Sequence, residues 1–143
     1  VALADAGMHL ERLEDKDLVL RIQTLAISAV GLGTECLDRV DVSKLKEQSG
    51  AALEHQLDEA SYTTKFGHTT ALIFLNDVAG GGELQFPHAG VQITARQGCA
   101  VVWSTTTKDG SMFDARARHR ARPPTLGTRY AVICTFRHDS NGS

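Results

Sequence analysis

The chain has 143 residues, of which 42% are hydrophobic and 22% charged, with a formal net charge of −2. That is the size and balance of one ordinary globular domain with a real core, and too little chain for two. It holds no apolar run of the roughly 20 residues that cross a membrane, and its near-neutral charge gives no reason to expect nucleic acid or an anionic membrane as a partner.

The N-terminus lacks the basic-then-apolar pattern of a secretory leader. From about Leu10 to Val30 the apolar residues Leu18, Ile22, Leu25 and Ala29 recur at three- and four-residue steps, which predicts a helix closed by Gly31 and Gly33. Asp38 to Leu45 alternates through Val40 and Val42 without settling between strand and helix, and Ser43 to Ala60 can also be read as an amphipathic helix. From Thr70 the chain reads as β-rich. Ala71 to Leu75 is a short apolar run ended by Asn76-Asp77, a buried strand by its length.

Gly80-Gly81-Gly82 then breaks the chain as a loop hinge; no helix follows to make it a phosphate cradle. Glu83 to Phe86 and Val91 to Thr94 alternate as half-exposed strands. Gln97-Gly98 is a turn, Cys99 to Trp103 is expected to be a buried strand, and Ser104 to Gly110 a polar loop. Short strands at this spacing predict a sandwich or small barrel. The expected organisation is one domain over 1–143, helical support over about 1–35 and a β core over about 38–138. Cys36, Cys99 and Cys134 lie far apart without a C-x-x-C, so they imply neither a zinc site nor a disulfide framework; their odd number favours a reducing, intracellular compartment.

The most informative segment is His119 to Tyr130, H-R-A-R-P-P-T-L-G-T-R-Y, with the order H-x3-P-x3-G-x-R. Its Pro and Gly mark a tight reversal, after which Arg129 opens the β-branched run Tyr130 to Phe136. A histidine before such a turn and a cation just inside the returning strand can share one cavity, one holding a metal and the other a carboxylate. Arg116, Arg118, Arg120 and Arg122 surround His119 and read as a solvated charged loop rather than a mouth for an acidic partner. Trp103 reads as core, with substrate contact near the barrel mouth as the alternative, His68 and His88 as structural or exposed, and His9 and His138 as terminal residues without a role. Arg129 has a competing reading as an exposed strand arginine paired with an acid, against which its position just after Gly127-Thr128 argues.

Three segments in register resemble the catalytic core of the prolyl 4-hydroxylase branch of the Fe(II)/2-oxoglutarate oxygenases. They are T-A-L-I-F-L-N-D-V-A-G-G-G-E-L-Q-F-P from Thr70, G-V-Q-I-T-A-R-Q-G-C-A-V-V-W from Gly90, and the His119 segment. Together they span about half the chain. The resemblance implies a mainly β fold with flanking helices, a double-stranded β-helix of jelly-roll or cupin-like type. It implies hydroxylation of a C–H bond with Fe(II), 2-oxoglutarate as cosubstrate, O2 and, as a further candidate cofactor, ascorbate. The substrate would be a prolyl residue, an amino acid or another small molecule.

By the same resemblance His119 is the distal iron ligand, Arg129 binds the far carboxylate of 2-oxoglutarate, and Thr70 adds a hydroxyl near it. The upstream H-x-D of that branch is best matched by Glu54-His55-Gln56-Leu57-Asp58, with His55 as the first ligand. Leu57 stands where the carboxylate is expected, and Asp58 follows one residue late. Side chains alternate along a strand, so Asp58 reaches the metal only through a bulge. The alternatives are a site of two histidines, as in related halogenases, against which the bulk of Leu57 argues, and a catalytically degenerate domain that binds or regulates. A cupin-like metal or sugar binder is a third class.

Overall fold

The computed structural model describes residues 2–4, 16–48, 68–107 and 109–137. Helix α1 (Lys16–Val30) follows strand β1 (Ala2–Ala4), and a 3-10 turn at Thr34–Cys36 leads into strand β2 (Leu37–Lys46). Six further strands follow: β3 (His68–Phe74), β4 (Leu84–Phe86), β5 (Val91–Ile93), β6 (Ala100–Ser104), β7 (Arg120–Ala121) and β8 (Thr128–Arg137). A second 3-10 turn, Ala115–Ala117, precedes β7. The large sheet has the order β1-β2-β8-β3-β6 and the small one β5-β4-β7. Apart from β1, which lies parallel to β2, every pairing is antiparallel.

Strand alternation divides the large sheet into two faces. Val42, Ala71, Ile73, Val132, Cys134 and Phe136 form one buried face, covered by Ile22 and Ala26 of α1 at i and i+4. The helix ends as its spacing predicts: Gly31 adopts φ 77°, and its N–H donates to Ile27 O at 2.9 Å. On the other face Leu72, Phe74 and Ala131 meet Leu84 and Phe86 of the small sheet.

Several ambiguities resolve. Asp38 to Leu45 is strand, because every residue from Arg39 to Leu45 pairs with β8, and a bulge interrupts the ladder between Leu37 and Arg39. The stretch from Ala100 to Ser104 is strand but not buried, with Val102 40% exposed. The reason is position: β6 is the outer strand of the large sheet, so one flank has no neighbour to cover it. The glycine hinge closes against the segment after β7. Gly81 bridges to Pro124, and Thr125 N–H donates to Gly80 O at 2.9 Å.

Gly81 has φ +70° and a Cβ there would meet Pro123 O at 2.5 Å and Thr125 N at 2.8 Å, both backbone atoms. Gly98 shares the positive φ, +81°, but opens onto free space. Gly98→Ala should therefore cost only left-handed strain, about 1 kcal/mol, and Gly81→Ala at least about 2 kcal/mol. Urea midpoints of the two variants check the difference; equal losses would mean that the hinge contact carries nothing.

Candidate functional site

A cavity of about 680 Å³ lies between the two sheets. Its large-sheet wall is a ladder of rows, each about 7 Å from the next because facing residues are two apart. The innermost row holds Leu45 and Arg129, followed by Ser43 beside Ala131 and Phe74. Next come Asp41, Ile133 and Leu72, then Arg39, Thr135, Thr70 and Trp103. Asp38 and His68 stand at the outer end. Leu84, His119 and Ala121 line the cavity from the small-sheet side.

Arg129 is 1% exposed, which removes the reading of it as a surface ion-pairing residue. Its Nη2 reaches Ser43 Oγ at 3.4 Å, its guanidinium lies 5.7 Å from the Phe74 ring centroid, and its Nε and Nη1 are buried with no hydrogen-bond partner. Burial pulls its pKa down to about 10, still well above neutrality, so the group stays charged. A buried guanidinium with N–H groups unpartnered among the described residues fits a carboxylate ligand, which it can take through two parallel bonds.

Asn76 holds the Arg129 backbone in place. Its Nδ2 donates to Thr128 O at 2.7 Å and its Oδ1 accepts from Tyr130 N at 2.7 Å, one bond on each side of Arg129. Asp77 Oδ1 accepts from Gln97 N at 2.8 Å and fixes the neighbouring turn. The Leu75-Asn76-Asp77 stretch therefore has a local reason to accompany the arginine. Its asparagine was legible only as the end of a strand.

His119 sits between the 3-10 turn and β7, its ring 4.8 Å from that of Trp103 and 5.5 Å from that of Phe86. Its Nδ1 is 2.9 Å from Ala117 O. A carbonyl only accepts, so Nδ1 carries the proton and Nε2 keeps its lone pair in the neutral ring. A metal-binding imidazole needs that arrangement, with the second nitrogen fixed by a carbonyl. Burial pushes the His119 pKa below its ordinary 6.5, outweighing the Ala117 carbonyl, which favours the charged ring.

Thr70 lines the same cavity at 9% exposure, but it pairs with Thr135, three rows from Arg129, too far to add a hydroxyl at the carboxylate Arg129 would hold. His55 and Asp58 lie outside the described residues, as does Leu57. Among the described residues no group of three His, Cys, Asp or Glu side chains is placed to hold a metal ion. His119 is thus one donor that fits a metal.

Trp103, which takes its alternative place near the cavity, and His68, expected as structural or exposed, both line the cavity. Trp103 lines the cavity with its indole Nε1 buried and unpartnered. His68 lines it too, with Nε2 3.9 Å from Asp38 Oδ2. Because His68 pairs with Arg137 at the end of β8, its alternation with buried Thr69 turns it toward the cavity, a fact visible only once the register is known. Two arginines of the basic patch are absorbed locally: Arg116 pairs with Asp114 at 2.8 Å and Arg120 Nε donates to Gln85 Oε1 at 2.6 Å.

No protein-family model and no curated protein matches the sequence. Solved structures do. A truncated form of the viral collagen prolyl hydroxylase from Paramecium bursaria Chlorella virus-1 is 14% identical, with TM-score 0.58 over 85% of this chain and 68% of that one. Its structure in complex with 2OG is likewise 14% identical, with TM-score 0.59 over 87% of this chain and 74% of that one. At this identity the likeness establishes the fold: the mainly β, double-stranded β-helix with a helix packed outside. Among the described residues no helix is long and apolar enough to cross a membrane.

Two outcomes follow from the geometry. Asn76→Ala leaves a buried N–H and C=O beside Arg129 unpaired and should cost about 2–3 kcal/mol in urea unfolding. Burial lowers the folded-state pKa of His119, so the unfolded chain binds the extra proton first as pH falls below 6.5. Stability is then lost progressively down through the folded pKa. In chelator-treated protein, His119→Gln should flatten the decline in the urea midpoint between pH 7.5 and pH 5; an unchanged slope would show that His119 does not contribute to it.

Proposed function

We propose that the chain is a non-haem Fe(II)/2-oxoglutarate-dependent dioxygenase of the prolyl 4-hydroxylase type, hydroxylating a C–H bond of a prolyl, amino-acid or small-molecule substrate. One observation carries this reading. The buried, partly unpartnered Arg129 guanidinium shares a cavity with the tautomer-fixed imidazole of His119. The fold it shares with a 2OG-complexed hydroxylase supports the same reading.

Bound iron and 2-oxoglutarate would together supply the oxidising power to functionalise a C–H bond with O2. The protein's own part is positioning and exclusion of water. Arg129 takes the distal carboxylate of the cosubstrate, with the Ser43 hydroxyl beside it on the same wall. His119 offers Nε2 to the metal, with His55 and Asp58 as the remaining candidate ligands. Leu72, Leu84 and Ile133 make the middle of the cavity apolar, which strengthens every charge interaction inside it.

Arg129→Met keeps the bulk and removes the buried charge. Such a replacement is often neutral or stabilising for the fold. It should weaken 2-oxoglutarate binding about 30- to 1000-fold, the range expected for losing charge-assisted hydrogen bonds of about 2–4 kcal/mol. Isothermal titration calorimetry of wild type and variant checks this, with urea unfolding as the control. Equal affinities would remove the cosubstrate assignment. If the protein takes up no iron and forms no succinate from 2-oxoglutarate across a broad substrate panel, the non-catalytic binding domain is the better description.

A further inference from the structure

The cavity is electrically two-ended. Arg129 closes its inner end, and Asp41 stands two rows outward on the same wall. Alternation along β2 turns Asp41 to the cavity and its neighbour Val42, 0% exposed, to the helix side. The Asp41 side chain is 14% exposed. Its Oδ2 is held by Arg39 Nε at 2.7 Å, and Arg39, 59% exposed, reaches in from the rim. Its Oδ1 is buried and has no hydrogen-bond partner.

Asp38 and Thr105 at this end have partners of their own. Asp38 Oδ1 takes Arg137 Nε at 3.2 Å, its Oδ2 faces His68, and Thr105 Oγ1 bonds the His68 backbone in both directions. Among the described residues, Asp41 Oδ1 is the one carboxylate oxygen of the cavity that is buried without a donor. A buried carboxylate oxygen is costly to leave unmade. An ionised carboxylate accepts only, so what satisfies it is an N–H or O–H donor, and a cationic one most strongly.

We infer that Asp41 is a specificity-determining residue that receives a protonated amino group of the substrate. A prolyl residue inside a peptide is a poor fit at this position, because its nitrogen carries no hydrogen. A free amino or imino acid, or another small amine, supplies both the hydrogen and the charge. Of the substrate classes open to the proposed oxygenase, the cavity selects the free amine over the internal prolyl residue. As a statement of substrate class this rests on the oxygenase reading, but binding of an amine and binding of 2-oxoglutarate are measured separately.

The experiment titrates the full chain, by calorimetry, with L-proline and L-lysine and with N-acetyl-L-proline and Nα,Nε-diacetyl-L-lysine. Each titration is run alone and with 2-oxoglutarate and Mn(II) present. Wild type should bind at least one free amine, its acetylated counterpart at least tenfold more weakly. Asp41→Asn, which keeps the shape and the Arg39 contact surface, should lose at least tenfold for the amine and leave 2-oxoglutarate affinity unchanged. Equal affinity of Asp41→Asn and wild type, no preference for the free amine, or no amine binding at all would overturn the assignment. If amines bind through Asp41 while 2-oxoglutarate does not bind, the amine site stands and the oxygenase reading falls. If 2-oxoglutarate binds and no amine does, the reverse holds.

Discussion

The arrangement turns on keeping one guanidinium charged inside the protein. Arg129 is almost wholly buried, and its desolvation is offset only in part by a long contact to Ser43 and by the face of Phe74. A group in that state must be held by its backbone, because its side chain has too few partners to hold itself. Two devices do this. β8 is paired on both flanks, by β2 and β3, and Asn76 clamps the peptide groups on either side of the arginine. Such a buried, under-satisfied charge is a strained arrangement of the kind that concentrates at functional sites.

The two-sheet architecture follows from the same segment. His119 and Arg129 are ten residues apart, yet they line the cavity from its two different sides. The chain leaves β7 through buried Pro123 and Pro124, reverses through exposed Thr125 to Gly127, where Gly127 has φ 80°, and enters β8. The Gly80–Gly82 hinge fastens the outside of that reversal. A fixed turn sets the separation of the imidazole and the guanidinium, and so the length of the molecule that can span them.

Much of this was legible in the sequence, and for identifiable reasons. The helix and its glycine stop, the strand at Ala71, the turn at Gly98 and the reversal after His119 are all local. Apolar period and glycine conformation determine them without reference to distant residues. The His119–Arg129 pairing was legible because a turn of known shape lies between them. β2 was not, since its weak alternation is decided by pairing to β8, more than eighty residues away. The expected burial of Cys99 to Trp103 failed on the same ground. Composition marks a strand but does not say whether it lies at an edge.

The sequence by itself determined the helix, the strand at Ala71 and the local turns, and that one histidine and one arginine flank a common reversal. Only the tertiary structure decided which faces of those strands enclose a cavity. Register across β2, β8, β3 and β6 puts Thr70, Trp103, His68 and Asp41 on one wall, and a shift of one residue would have turned each toward the opposite face. Burial then gave those side chains their chemistry. The atoms of Arg129, Asp41 and Trp103 that lack partners among the described residues are unremarkable in a sequence, and their need for a partner arises only when water is removed from around them.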